Sequence, residues 1–248
     1  MLTKGNGGRV LATYYTRQDC RHHVIPKPWR PLVVGNPLHS SGCYLCCGAH
    51  QIAVSPNTVR FHANWVGGDI TGMTLGIVGM GRIGYKIAQR AKAFEMKILY
   101  HNRHRRPEEE KSVGASYCER LDDLLQQSDY VMLVVNLSPE TEKLMGKHEF
   151  QMMKPSAMLI NISRGLVVDQ EALVEALETG QIKAAALDVT YPEPLPRDHP
   201  LLKMSNVVLA PHMGTATRGA LRLMMEEMVQ SMMDAVNGLP VSNEVTGF

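Results

Sequence analysis

From residue 59 onward the hydrophobic positions fall into two recurring textures: short unbroken apolar runs, and longer stretches in which apolar residues return every third or fourth position. The first suits strands buried on both faces of a parallel sheet, the second amphipathic helices laid against it. Strands are predicted at residues 75–78, 97–100, 130–135, 157–162, 184–189 and 207–209. Between the first two, Ile83, Ile87, Ala88, Ala91 and Phe94 form one helical face, and a second helix is predicted at 121–127 with Leu121, Leu124 and Leu125 together. Short helices are expected at 141–145 and 147–153, stopped before Pro155. Another runs from an N-cap at Asp169 through Leu177, with Gly180 beyond its end. A last helix, 217–237, carries Leu221, Met224, Met225, Met228, Met232 and Val236 as a stripe expected to serve core or subunit packing. Regular strand–helix alternation implies the α/β class, a doubly wound parallel sheet.

Residues 1–58 have a different texture. They hold four of the five cysteines and five prolines, with short strands conceivable only at 10–15 and 32–34. Cys43 and Cys46 stand at CxxC spacing, with Cys47, His39 and His50 nearby, but no second ligand pair follows at a compatible distance; Cys20, His22 and His23 are too irregularly spaced to supply one. The reading is free thiols and no metal. Residues 60–67 should form a short amphipathic lead into the first strand, with Trp65 as a packing anchor.

Composition narrows the function classes. Across 248 residues, 26 basic side chains face 24 acidic ones, and a net charge of +2 gives no reason to expect nucleic acid or an anionic membrane as partner. No apolar run approaches the roughly 20 residues of a membrane span, and the N-terminus lacks a secretory pattern. A cytoplasmic protein with reduced thiols is expected.

The chemistry begins where the first strand ends. Gly79, Gly81 and Gly84 form GxGxxG between strand and helix, in the order a dinucleotide pyrophosphate requires: a tight turn, room for the phosphates, and close helix packing. Arg82 and Ile83 lie within that turn, at the helix N-terminus whose free N–H groups favour phosphate. About 20 residues on, where an acidic residue would hold the ribose of NAD, the chain reads His101, Asn102, Arg103, His104, Arg105, Arg106. Guanidinium groups there suit a 2′-phosphate. NADP(H) is therefore the expected cofactor and NAD(H) the alternative, with Arg103 and Arg105 as phosphate contacts and Asn102 beside them. Asn136 and Ile162, at the ends of later strands, are further candidate cofactor contacts.

Three ionisable residues follow successive late strands: Arg164 in INISRG, Glu193 in DVTYPEP and His212 in LAPHMGTAT. Each alone could be a surface charge, a turn residue or a loop histidine. Together they make a unit for reducing a keto acid: an arginine to grip a carboxylate, a histidine to protonate an oxygen, a carboxylate to orient the imidazole.

The strings GIVGMGRIG, LINISRGLVVDQEAL, IKAAALDVTYPEPLPRDHPLL and NVVLAPHMGTAT resemble the D-isomer-specific 2-hydroxyacid dehydrogenase family, nearest its glyoxylate reductase/hydroxypyruvate reductase branch. The resemblance runs from about Val66 to Val245. It implies that Arg164 binds substrate, that His212 is the acid/base residue with Glu193 as its partner, and that Asp188 contacts the nicotinamide carboxamide, with Gly214 nearby. It also implies NADP(H) preference, a small 2-keto or 2-hydroxy acid as substrate, and a homodimer formed through the cofactor domain. The implied organisation is a Rossmann-type domain at 59–216, a C-terminal helix and tail at 217–248, and at 1–58 a divergent remnant of the substrate domain, in which the family's substrate-binding loop is not recognisable. A truncated or alternatively spliced product is the matching expectation. The alternative to an active reductase is a catalytically weak NAD(P)-binding module, corepressor-like, that acts through oligomerisation or partner binding.

Overall fold

The computed structural model describes residues 69–241. The predictions for 1–58, the cysteine and histidine cluster, the strands at 10–15 and 32–34, and the 60–67 lead with Trp65 all lie outside the described residues. Within them, β1 (Thr74–Val78), β2 (Lys97–His101), β3 (Ser116–Tyr117), β4 (Tyr130–Leu133), β5 (Met158–Asn161), β6 (Ala184–Leu187) and β7 (Val207–Leu209) form one sheet. Its order is β3-β2-β1-β4-β5-β6-β7 and every pairing is parallel. All strands therefore end along one edge, and the direction of winding reverses at β1, which lies between β2 and β4. Ligands bind at such a reversal in open α/β sheets.

The apolar runs are explained by burial on both faces. Leu75 and Ile77 of β1 pack with Ile87, Ala88 and Ala91 of α1 (Arg82–Ala93), while Val78 joins Leu124 and Leu125 of α3 (Leu121–Gln127) on the other face. Helices α4 (Lys147–Met152) and α5 (Gln170–Glu178) add Phe150, Leu173 and Leu177 to that second cluster. Asp169 caps α5 as expected, its Oδ1 accepting from the amides of Glu171 and Ala172 at 3.2 Å each.

Four expectations need correction. The α1 face is narrower than its periodicity suggested: Ile83 is 62% exposed and Phe94 lies at the C-cap, 38% exposed. Residues 141–145 are not helical; the chain turns there, with Lys143 at φ 52°, and the apolar Met145 is buried because it bridges to Val168. Helix α2 (Pro107–Val113) and strand β3 were not anticipated. α2 buries only Val113 and so shows no apolar period, although Pro107 at its start, three acidic residues in its first turn and left-handed Gly114 at its end fit a helix. Finally, α6 (Arg218–Val236) buries none of its residues, so its methionine stripe is not core among the described residues.

The motif glycines divide by cause. A Cβ on Gly84 would lie 2.1 Å from the Gly79 carbonyl oxygen, whereas one on Gly81 would meet nothing within 4 Å. Gly84→Ala should lose at least about 2 kcal/mol in urea unfolding, because overpacking against backbone outweighs the gain in helix propensity. Gly81→Ala should stay within about 1 kcal/mol of the parent; similar losses at both positions would contradict this division.

Candidate active site

At the β1 edge, Gly79 adopts φ 109°, and a Cβ there would strike the Val134 carbonyl oxygen at 2.3 Å. Its amide donates to the carbonyl of His101, the last residue of β2, at 3.0 Å. The next amide, Met80 N–H, donates to Asn102 Oδ1 at 2.7 Å. Asn102 thus ties the loop after β2 to the glycine turn. Gly81 is the N-cap of α1 and brings no side chain, leaving open space at the helix start, where no side chain caps the first turn. Exposed Ile83 lies in the first turn of α1, and Arg82, also exposed, precedes it.

The basic loop is less free than its sequence suggests. Arg105 donates from Nε and Nη2 to both oxygens of Glu110 at 2.9 and 2.7 Å, and its guanidinium lies 5.6 Å from the centre of the Tyr117 ring. Arg106 donates from Nε and Nη2 to a single oxygen of Glu109, Oε1, at 3.1 and 2.6 Å. The Tyr100 hydroxyl donates to Glu110 at 3.0 Å and accepts from the Arg106 amide at 3.0 Å. The hydrogen bond from Arg105 is the main cause holding the Glu110 carboxyl below its ordinary range. The two arginines expected as phosphate contacts therefore differ: Arg105 is engaged by α2, while Arg103 forms no hydrogen bond or salt bridge among the described residues, although its charge acts on Glu140.

Arg164, Glu193 and His212 all follow strand ends on the same edge, after β5, β6 and β7. Arg164 is presented by a tight turn in which buried Asn161 satisfies both ends of its amide: Nδ2 donates to the Arg164 carbonyl at 2.9 Å, and Oδ1 accepts from Ser163 N and Oγ at 3.0 and 2.7 Å. His212 Nδ1 lies 3.0 Å from Glu193 Oε2. Partial burial pushes the Glu193 carboxyl up, but the hydrogen bonds from His212 and the Thr190 amide, with the charges of His212 and Arg164, bring it below the ordinary range. An ionised carboxylate only accepts, so Nδ1 carries the hydrogen and Nε2 is left to act on a ligand.

His212 adopts φ 53°, uncommon for a residue with a Cβ. Asp188 holds it there. Its carbonyl accepts from His212 N at 2.8 Å, and its carboxylate accepts from Met213 N at 2.8 Å and Gly214 N at 3.1 Å. Asp188 was expected to contact a nicotinamide; in this structure its carboxylate first secures the loop that carries His212. Asn136 and Ile162 follow the ends of β4 and β5 on the same edge of the sheet, with the Asn136 carbonyl accepting from Thr141 Oγ1 at 2.6 Å. Sequence reasoning missed Asn161, Glu110 and Gln170. The first two could have been flagged as polar residues next to candidate arginines; the third stood behind the more conspicuous cap Asp169. Among the described residues, no group of three His, Cys, Asp or Glu side chains could hold a metal ion, and no helix is long and apolar enough to cross a membrane.

A glycine turn at the reversal of a parallel sheet, opening on a helix N-terminus that no side chain caps, defines a dinucleotide-binding domain of Rossmann type. Residues 48–214 match the sequence profile of the D-isomer specific 2-hydroxyacid dehydrogenase NAD binding domain, and the chain belongs to that family. Glyoxylate/hydroxypyruvate reductase B of Enterobacter sp. (strain 638) is 50% identical over 191 residues, covering 77% of this chain and 59% of the relative. The chain thus spans 59% of the length of the curated relatives it matches. Among solved structures, the TT0316 protein of Thermus thermophilus aligns with a TM-score of 0.75 at 38% identity, over 84% of this chain and 65% of that one. The D-lactate dehydrogenase of Lactobacillus jensenii with NAD+ aligns at 0.71 and 30% identity, over 84% and 66%.

The depressed Glu193 carboxyl fixes the sign of a pH effect. A group whose pKa is lower folded than unfolded adds stability above its unfolded value, and that stability is lost as pH falls through the folded value. In urea unfolding, the stability gap between wild type and Glu193→Gln should therefore be largest near neutrality and shrink below the ordinary carboxylate range. A gap independent of pH would contradict the pairing.

Proposed function

We propose that this chain is a reductase of small 2-keto acids, of the glyoxylate/hydroxypyruvate type, that uses NADP(H) in preference to NAD(H). The observation that carries the reading is the His212–Glu193 pair at 3.0 Å on the strand edge that also bears Arg164 and the glycine turn. The open space beside Gly81 fits a dinucleotide, because a pyrophosphate can approach the α1 amides where a Cβ would otherwise project. Gly79, Gly81, Arg82, Ile83 and Gly84 would hold the phosphates, Asn102, Arg103 and Arg105 the adenosine side, and Asn136, Ile162, Asp188 and Gly214 the remainder.

When bound, the reduced nicotinamide supplies a hydride to C2 of the keto acid. Arg164 grips the substrate carboxylate with paired donors and so orients the carbonyl. His212 holds a proton at Nε2 and delivers it to the carbonyl oxygen. Glu193 steadies the imidazolium through Nδ1. In the reverse direction the same nitrogen takes the proton from a 2-hydroxy acid. Arg103 is the readier 2′-phosphate ligand, since Arg105 must share its charge with Glu110.

A second reading is favoured by one feature. The apolar face of α6 is uncovered, with Met225 57% and Met232 61% exposed, which suits a dinucleotide-binding module that acts by association, including a homodimer. A cytoplasmic setting, without nucleic acid or membrane as partner, fits either reading.

Two measurements separate the possibilities. NADPH oxidation with glyoxylate or hydroxypyruvate should occur and should fall about 10²-fold or more in His212→Ala; equal rates would remove His212 from the chemistry, and absence of turnover with intact NADPH binding would favour the module. In fluorescence titrations NADPH should bind more tightly than NADH, and Arg103→Ala should narrow that ratio more than Arg105→Ala. Equal affinities in the wild type would overturn the cofactor assignment.

A further inference from the structure

Segment 190–194 carries Glu193 yet lies outside every helix and strand, so something must hold it. Its internal bonds are the Thr190 amide to Glu193 Oε1 at 3.1 Å and Thr190 Oγ1 to the Pro192 carbonyl at 3.2 Å. These fold the turn on itself without fixing it to the domain. The external anchor is Gln170, the first residue of α5. Its Oε1 accepts from the Tyr191 amide at 2.9 Å, and its Nε2 donates to the Tyr191 carbonyl. One side-chain amide thus grips both polar groups of a single main-chain residue, as a neighbouring strand would.

The geometry is selective for glutamine. Glutamate lacks the donor for the Tyr191 carbonyl, and asparagine is one methylene shorter. Behind the clamp, Gly165 lies flush with the same segment: a Cβ there would sit 2.1 Å from the carbonyl carbon of Thr190 and 2.7 Å from the Tyr191 nitrogen. Among the described residues, the only side-chain hydrogen bonds reaching segment 190–194 from elsewhere come from Gln170 and from His212 itself. Glu193 and His212 are both substantially exposed, at 41% and 49% of their side-chain surface, so burial alone does not hold their geometry.

We infer that Gln170 is a positioning residue for the Glu193–His212 pair, clamping Tyr191 so that the Glu193 carboxylate stays aimed at His212 Nδ1. The functional half of this inference rests on the reductase reading; the structural half does not. Gln170 hydrogen-bonds Tyr191 rather than Glu193 or His212, so its effect passes through the main chain from Tyr191 to Glu193. Displacing a catalytic group by about 1 Å can cost on the order of 10²-fold in rate, so a loosened turn should act on kcat far more than on KM.

The test uses the full chain with Gln170→Ala and the volume-matched Gln170→Met, both of which remove the clamp. NMR titration of side-chain carboxyls reads Glu193 and, as an internal control, Asp169. Asp169 sits one residue from the change and is also held below its ordinary range, chiefly by Lys143. Glu193 faces His212 and Arg164, which the substitutions leave in place. The Glu193 midpoint should rise into the ordinary carboxylate range in both variants while Asp169 remains depressed. In an active protein kcat should fall about tenfold or more, with KM within about threefold. An unmoved Glu193, a joint rise of Glu193 and Asp169, failure of both variants to fold, or unchanged kcat in an active protein would each overturn the inference. Absence of turnover in the wild type would instead count against the reductase reading and leave the Glu193 titration to decide the clamp.

Discussion

Parallel pairing of β1 on both sides is the constraint on which the rest of the structure depends. With β2 at one flank and β4 at the other, the chain leaving β1 can neither widen nor lean; it must turn at once, between the His101 carbonyl that takes the Gly79 amide and the Val134 carbonyl that a Cβ would strike. A left-handed glycine meets that demand. The same turn leaves open space beside Gly81 at the start of α1, so a folding requirement and the proposed phosphate site fall on one piece of backbone. Every later strand pairs in parallel with its neighbour and ends on the same edge, which is why residues far apart in sequence share it.

Along that edge, each candidate side chain is matched by a polar residue that hydrogen-bonds its main chain or the main chain beside it. Asn161 shapes the turn under Arg164, Asp188 gathers the amides of His212, Met213 and Gly214, and Gln170 grips Tyr191 two residues before Glu193. The candidate groups themselves, Arg164, Glu193 and His212, are exposed. Their precision comes from hydrogen bonds to backbone rather than from packing, and that makes the site sensitive to single polar substitutions that would scarcely disturb the core.

Much of this was legible in the sequence because the sheet is buried on both faces. Continuous apolar runs such as Tyr130 to Val135 have no other use in a chain of this composition, and the capping carboxylate of Asp169 announced α5. The proposed trio stood out because arginine, glutamate and histidine at successive strand ends form a chemical set. What stayed hidden was set by contacts across sequence. Val113 alone gives α2 no periodicity, so neither the helix nor the acids by which it engages Arg105 and Arg106 were foreseen. Residues 141–145 looked helical, but Met145 bridges to Val168 and is buried there. Asp188 reads as a ligand contact in a motif, and only the fold reveals that its carboxylate meets amides 25 and 26 residues away.

The central claim is that one edge of this sheet holds a dinucleotide between the glycine turn, the Asn102–Arg103 loop and the His212 loop. The most direct measurement is an amide chemical-shift map of the full chain as NADPH is added. The predicted result is a set of saturable shifts concentrated at Gly81 to Ile83, at Asn102 and Arg103, and at Met213 and Gly214. Shifts confined to other surfaces, or none at concentrations that saturate dinucleotide-binding domains, would contradict it.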